Sequence, residues 1–400
     1  MSDATAPSAD PDIRPHESEM RSLVYPTAVG CWALCSVQPC VAAEWSAQPS
    51  MNFSLFDDTN PRLTPDQENA SGGSLGASVR LKTAIETSSF VLEPRFFTRR
   101  YDDSRIADVS DREIFGQFDH LGDRSQLTLS STYQVQSTLL SELLETGVTR
   151  NDTNQHSLNA TGSFSWMHTE RRSFVSQFYY AGVSYQGPGQ VDLPGYRYYS
   201  GSLGERFVLS ERTSLTLNAV GNKLVSDRAG GSSHEAGVQA ELLYTISDRV
   251  ILDGSVGESR RFLYGTNSNG TNATVSLTRF MPRGNFALTY SRSLVPYGTG
   301  FAVERQQYGG SALYHVTPYL DAKLSLARVL NNETAELLGI DRRKYDTVDL
   351  DLDWQVGEHW TVGTTITGLR ASAFHSDQDV KEWRGGLTLT WTPLASVISR

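Results

Sequence analysis

The sequence predicts an all-β chain, a transmembrane antiparallel β-barrel of about 18 strands with short periplasmic turns and long extracellular loops. Three observations predict it. From residue 75 onward, apolar residues recur at every second position in run after run, which is the period of a strand with one buried face. The connections between runs alternate between short and long. No stretch approaches the ~20 consecutive apolar residues of a helical span. Mean hydropathy is −0.36, which a barrel tolerates because its lipid-facing residues are hidden in alternate positions.

The chain opens with two pieces unlike the rest. Residues 1–19 are polar and acidic, and read as an N-terminal extension ahead of the true start. From Met20 the text changes. Arg21 supplies a positive charge, the residues from Ser22 to Val37 are mostly apolar, and Val41-Ala42-Ala43 are small residues before a cleavage point. Residues 20–43 therefore read as a secretory signal peptide. All three cysteines, Cys31, Cys35 and Cys40, fall within it, so their reading as a reactive or metal-binding cluster yields to removal with the signal. The residues before Cys31 lack the leading leucine of a lipoprotein signal. Net charge over the whole chain is −10, which argues against a nucleic-acid partner.

Residues 44–391 read as the barrel. The first strand is placed at residues 45–55. Leu75, Ala77, Val79 and Leu81 follow, then Phe90, Leu92, Pro94 and Phe96. Middle runs alternate from Leu158 to Trp166, Val238 to Ile246, Val250 to Val256, Phe286 to Tyr290, Tyr308 to Tyr314 and Leu320 to Leu326. The last three run from Val348 to Trp354, Val362 to Gly368 and Trp383 to Trp391. Strands of roughly 10 to 13 residues are expected, in an even number that returns the chain to its starting side. Short turns fall at Thr87-Ser88, Thr169-Glu170-Arg171, Ser210-Glu211-Arg212, Ser247-Asp248 and Pro282-Arg283, among others. Between them lie longer polar stretches, including 57–73, 102–110, 139–154, 187–195, 264–270 and 331–343. Residues 392–400 are expected as a short periplasmic tail, with Trp391 as the signal read by the barrel-assembly machinery.

A soluble β-sandwich or propeller also alternates. Against it stand the segregation of short from long connections and a second face that is Ser, Thr, Asn, Gln or charged in nearly every run, as a hydrated interior needs. Aromatic residues near strand ends, among them Trp45, Tyr101, Trp166, Tyr185, Tyr199, Tyr244, Tyr319, Trp354, Trp360 and Trp383, fit two girdles at the lipid–water boundaries.

Trp45-Ser46-Ala47-Gln48-Pro49 and the later Phe56-Asp57-Asp58-Thr59-Asn60-Pro61-Arg62-Leu63 resemble the opening of the β-barrel porins found beside exopolysaccharide and exosortase (PEP-CTERM) gene clusters. The resemblance departs at Asp58-Thr59-Asn60, where the family has Thr-Asp-Asn. It implies an outer-membrane barrel associated with polysaccharide secretion, with exopolysaccharide and periplasmic export components as partners beside the outer-membrane lipids. It carries over no catalytic residues.

The sharpest charged feature is Asp349, Asp351 and Asp353, alternating with Leu350 and Leu352. If the leucines face lipid, all three carboxylates face the lumen, where Asp321, Lys323 and Arg384 would join them as a charged, pore-lining wall. A second lumenal set is Arg80, Lys82, Glu93, Arg95 and Arg99, which would narrow the pore through salt bridges or bind an anionic polymer. No enzyme motif is present: there is no H-E-x-x-H, G-x-S-x-G or P-loop. Ser232-Ser233-His234-Glu235 reads as part of a glycine-rich loop. No cofactor and no metal are expected. Three function classes follow: a channel or accessory in exopolysaccharide export, a general diffusion porin for small solutes, and a non-conducting structural or surface barrel.

Overall fold

Alternation drives these segments into strands, because a strand collects every second side chain on one face whereas a helix would scatter them around its axis. The computed structural model describes residues 44–397 apart from 64–66, 139–152, 187–193, 228–231, 264, 297–301, 333–342 and 373–378. The extension, the signal segment and its cysteines lie outside the described residues.

Eighteen long strands follow in chain order: β1 (Glu44–Asp58), β2 (Ala70–Ile85), β3 (Ser88–Tyr101), β4 (Val109–Leu121), β5 (Ser125–Ser137), β6 (Asn154–Thr169), β7 (Arg172–Gln186), β8 (Tyr196–Ser210) and β9 (Thr213–Ser226), then β10 (Ser233–Ser247), β11 (Val250–Leu263), β12 (Thr266–Met281), β13 (Gly284–Pro296), β14 (Ala302–Thr317), β15 (Leu320–Asn332), β16 (Arg343–Gln355), β17 (Trp360–Ser372) and β18 (Asp379–Trp391). Each pairs antiparallel with its sequence neighbours, and β18 returns to β1 from Met51↔Trp391 to Asp58↔Arg384. The sheet is thus a closed, 18-stranded antiparallel barrel with no free edge. The residues after Trp391, expected as a tail, come back as a two-residue strand, β19 (Ser396–Val397), on Ser46–Ala47 of β1.

Strands run 13 to 16 residues, longer than expected, because on the loop side they continue past the apolar band with polar residues. The expected long connection at 264–270 is the main case. β11 and β12 stay paired up to Leu263↔Thr266, so Thr266 to Gly270 are strand. A left-handed Gly265, φ +86°, permits so tight a turn. Pro94 leaves its mark as well: without an N–H it interrupts the β2–β3 ladder between Ser78↔Arg95 and Leu81↔Leu92.

The large apolar side chains point outward. Val238 is 66% exposed, Leu387 59% and Leu203 58%. In a soluble protein such a belt would be untenable; on a closed barrel it is the surface that meets hydrocarbon. This chain is an integral outer-membrane β-barrel. Trp45, Trp166, Tyr244, Tyr319, Trp354 and Trp360 are exposed toward the short-turn rim, and Tyr199 and Trp383 toward the other. Tyr101 and Tyr185 leave the girdles. Their positions face inward, and they pack on buried clusters there.

Two long connections also fold inward. Leu63, from 59–69, packs on Val329, Tyr345 and Leu369 of the inner face. Its φ of +47° is unfavourable for a branched side chain, and the packing holds it there. Ile106, from 102–108, is buried against Ala70 and Val109. The motif that carries the family resemblance locks the seam of the barrel. Asp58 accepts a bond from the Asn60 N–H at 3.0 Å, the Trp383 N–H donates to the Thr59 hydroxyl at 2.8 Å, and the Thr59 N–H donates to the Trp383 carbonyl at 3.0 Å.

Candidate functional site

Strand parity divides the inner surface into two halves. On β5–β9 it is hydroxyl and amide: Thr128 and Gln134, Asn159 and Thr161, Gln177, Ser200 and Ser202, Asn218 and Asn222, with Tyr179 and Tyr198 among them. Arg206, near the short-turn rim, is the one charged side chain at an inward position of β5–β9 among the described residues. On β2–β4, β15, β16 and β18 the same face carries charges, with neutral β17 among them and β1 charged only at its ends.

Asp349, Asp351 and Asp353 do share the face opposite Leu350 and Leu352, and Asp321 and Lys323 stand beside them on β15. Lys323 donates to Asp353 at 2.6 Å, the Thr365 hydroxyl to Asp351 at 2.8 Å, and Asp321 bonds His315 Nδ1 at 2.6 Å. Asp349 lies between Ser325 and Thr367. Arg384 of β18 shares this inward face and is engaged by other carboxylates. Thr367 separates it from Asp349 along the row, while its Nη2 reaches Asp58 and Glu382, each at 2.7 Å. Asp58 is fully buried and Glu382 is 3% exposed, so their charges need that partner more than Asp349 does.

The second predicted set also separates. Arg95 bridges Glu93 at 2.7 Å and Glu113 at 2.8 Å along the wall. Arg80 and Lys82 face Gln48 and Ser46 across β1 and form no ion pair among the described residues. Arg99 lies over the Phe56 ring at 4.8 Å, a cation–π contact in place of a salt bridge.

The main narrowing element comes from neither set. β12 and β13 pair only from Met281↔Gly284 to Ala273↔Arg292. Beyond that point β13 stays with β14 up to Pro296↔Ala302, and these described strand ends, 293–296 and 302–305, form a hairpin tip that parts from β12. Leu294 and Ala302 have the parity of the lipid-facing Leu288 and Tyr308. Yet they are buried against Val183, Tyr196, Leu224 and Leu263 from the inner faces of β7, β8, β9 and β11. Residues of outward parity can touch those only if the tip has tucked inside the wall as a second layer.

A buried ionic clamp fixes it there. Arg261 of β11 donates from Nε to Glu235 of β10 at 3.1 Å, from Nη1 to Glu304 of β14 at 3.0 Å and from Nη2 to Asn272 Oδ1 at 2.7 Å. Arg292 donates to Glu304 at 3.0 Å. Glu235 also accepts from Ser259, from Asn272 at 2.8 Å and from Asn222 at 2.8 Å. Two carboxylates and two guanidiniums balance, which makes burial of Glu235, Arg261 and Glu304 bearable while Arg292 stays partly exposed. Gly270 makes the room: a Cβ there would sit 1.9 Å from Arg261 Cζ. Between the tip and the neutral wall remains a cavity of about 520 Å³, bordered by Thr161, Gln177, Tyr198 and Arg292.

Sequence reasoning missed this clamp. Glu235 was expected in a loop and Gly270 in another. Parity would have found it: counted back from Val238, Glu235 faces inward and stands directly opposite Arg261.

No family model matches the chain, and no curated protein matches it. Among solved structures it is similar to OpdQ of Pseudomonas aeruginosa, at 12% identity over 88% of this chain and 98% of that one, TM-score 0.47. It is similar to OccAB4 of Acinetobacter baumannii at 10% identity over 89% and 100%, TM-score 0.47. The siderophore receptor PirA of P. aeruginosa matches at 12% identity over 87% and 80%, TM-score 0.44. At this level of similarity, the barrel rests on its own strand pairing.

Proposed function

We propose that this barrel is a passive diffusion channel for small hydrophilic solutes, with its passage limited by the β13–β14 tip. The observation that carries this reading is the tip held inside the wall by the Glu235–Arg261–Glu304–Arg292 clamp, which leaves beside it a cavity where hydroxyls, amides and Arg292 stand among apolar side chains. In this reading Asp321, Lys323, Asp349, Asp351, Asp353, Arg80, Lys82, Glu93 and Arg95 line the pore. They act as a hydrated wall that concentrates counter-ions. Arg384 lines it only as part of the seam. Export of an exopolysaccharide, which the sequence resemblance implies, would require the tip to withdraw, and nothing observed here favours that.

The test is conductance in planar bilayers combined with swelling of proteoliposomes in solutes of increasing size. Discrete openings and swelling that stops at small solutes are expected. A barrel that conducts nothing would sink the proposal in favour of a structural role. Swelling by long oligosaccharides would favour polymer passage.

A further inference from the structure

We infer that the outer face of β7–β10 holds one phosphorylated, acylated glycolipid of the outer leaflet. The register sets Gly201 directly opposite Gly221, Gly221 opposite Ala236 and Phe178 opposite Gly201. All four share the lipid-facing side with the exposed Leu203 and Val238. Gly201 and Gly221 make a flat floor across β8 and β9, with Ala236 beside it on β10. Phe178, Tyr180 and Tyr199 wall it, and the depression measures about 650 Å³. That is a shape for an acyl chain lying along the sheet.

The protein's own packing does not require these glycines. A Cβ on Gly201 would come no closer than 3.7 Å to the Gln177 carbonyl oxygen, and one on Gly221 no closer than 3.7 Å to that of Glu235. Gly162 and Gly368 differ: there a Cβ would fall 2.3 Å from the Phe178 ring and 2.8 Å from the Trp383 ring, because neighbouring side chains already fill the space. At Gly201 and Gly221 the space opens onto the membrane.

Cations rim the loop side of the groove. Lys223 stands beside Tyr199, Arg197 is diagonal to Lys223, and Arg260 is beside Ala236. All three are exposed, and none forms a hydrogen bond or ion pair with another described residue. The nearby carboxylate Glu258 accepts from Thr271 at 2.8 Å. A second groove, floored by Gly310 and measuring about 670 Å³, is the contrast: its Arg328 is already bound by Asp346 at 2.6 and 3.0 Å. Long loops mark this rim as extracellular. Unpaired cations just above the apolar belt therefore meet the outer-leaflet headgroups, whose phosphates supply the complementary charge.

Native mass spectrometry of the chain purified from outer membranes tests the site. The added probes are bisphosphorylated lipid A, dephosphorylated lipid A and phosphatidylglycerol. One bisphosphorylated lipid A is expected to persist. Its retention is expected to fall about tenfold both in Gly201→Leu/Gly221→Leu, which fills the groove, and in Arg197→Ala/Lys223→Ala/Arg260→Ala, which removes its cations. Arg328→Ala is expected to match wild type. Heat-modifiable mobility on gels reports that each variant is folded; if the glycine variant fails that check, the cation variant decides. Undiminished retention in the folded variants overturns the inference, as does equal retention of phosphatidylglycerol or of dephosphorylated lipid A. A dimer or trimer mass abolished by the glycine variant would overturn it too, assigning the face to a second copy of the chain.

Discussion

The two halves of the inner wall share one backbone geometry and differ almost entirely in chemistry. β5–β9 present hydroxyls and amides that bond one another, as Ser130 does with Thr161 at 2.5 Å and Gln136 with Gln155 at 2.7 Å. β2–β4, β15, β16 and β18 present carboxylates, lysines and arginines, many locked in pairs. The hairpin tip lies against the neutral half and is held by a clamp on β10 and β11, between the two. A neutral wall can carry an apolar cluster and accept a second layer, because the wall has no charge of its own to desolvate and the tip's Glu304 is met by Arg261 and Arg292. The charged half takes in only single loop side chains, Leu63 and Ile106, beside its salt bridges to Asp58, Glu382 and Glu113.

This difference predicts the largest mutational effect. Arg261→Ala leaves Glu235 and Glu304 buried with one guanidinium between them. It should destabilise the barrel by about 3–5 kcal/mol, as breaking a buried ionic network does, read by guanidinium unfolding in lipid vesicles. Single-channel conductance should rise as the tip loosens. Gln177→Ala, on the neutral wall, should stay within about 0.5 kcal/mol. Equal effects of the two would break the comparison.

Gly270→Ala should act on the same clamp more gently. Its methyl displaces the Arg261 guanidinium, a crowding defect worth about 1–3 kcal/mol, with conductance moving the same way. Wild-type stability in this variant would mean that Arg261 does not lie over Gly270.

Selectivity sharpens the contrast with little change in stability. Asp349→Asn/Asp351→Asn/Asp353→Asn should lower the cation-over-anion permeability ratio by about twofold, since it removes the local field that gathers cations. Placing carboxylates on the other half, by Thr161→Asp/Ser202→Asp in that variant, should restore part of it. Reversal potentials in a salt gradient decide. A ratio indifferent to the triple change would show that ions do not sample the β16 wall.

These expectations differ in how visible they were in the sequence. The eighteen strands were legible because lipid-facing leucines and aromatics alternate with polar residues whatever the tertiary context. The acidic trio was legible for the same reason, since Leu350 and Leu352 fix the parity of Asp349, Asp351 and Asp353. The clamp was hidden. Glu235, Arg261, Arg292 and Glu304 sit on four strands beyond the apolar band, where polar text reads as loop. Burial there depends on a hairpin leaving its neighbour, which no local pattern records. Parity likewise puts Arg384 on the inward face, but it does not say which acidic neighbours on that face it pairs with.

The smallest effect lies at the loops of the charged half. Arg105 bonds Asp103 through its side chain at 2.6 Å and through its backbone N–H at 2.9 Å, and reaches Glu68 of the preceding loop at 3.1 Å. The Arg105 side-chain bond first, then its N–H, hold the Asp103 carboxyl down to about 2. A carboxyl depressed in the folded state contributes fully above its unfolded value of ~3.9. That contribution fades as pH falls from there toward the folded value. The staple should therefore be intact at any pH at which outer-membrane proteins normally function. The carboxyl carbon resonance of Asp103 should titrate near 2 in wild type and move up toward the unperturbed ~3.9 in Arg105→Ala, where only the backbone N–H still bonds it, with faster amide exchange at Ile106 in the variant. A wild-type midpoint near ~4 would mean that Asp103 does not hold the Arg105 that joins the two loops through Glu68. Their inward fold would then rest on Leu63 and Ile106 alone, by apolar packing like that which seats the hairpin on the neutral half.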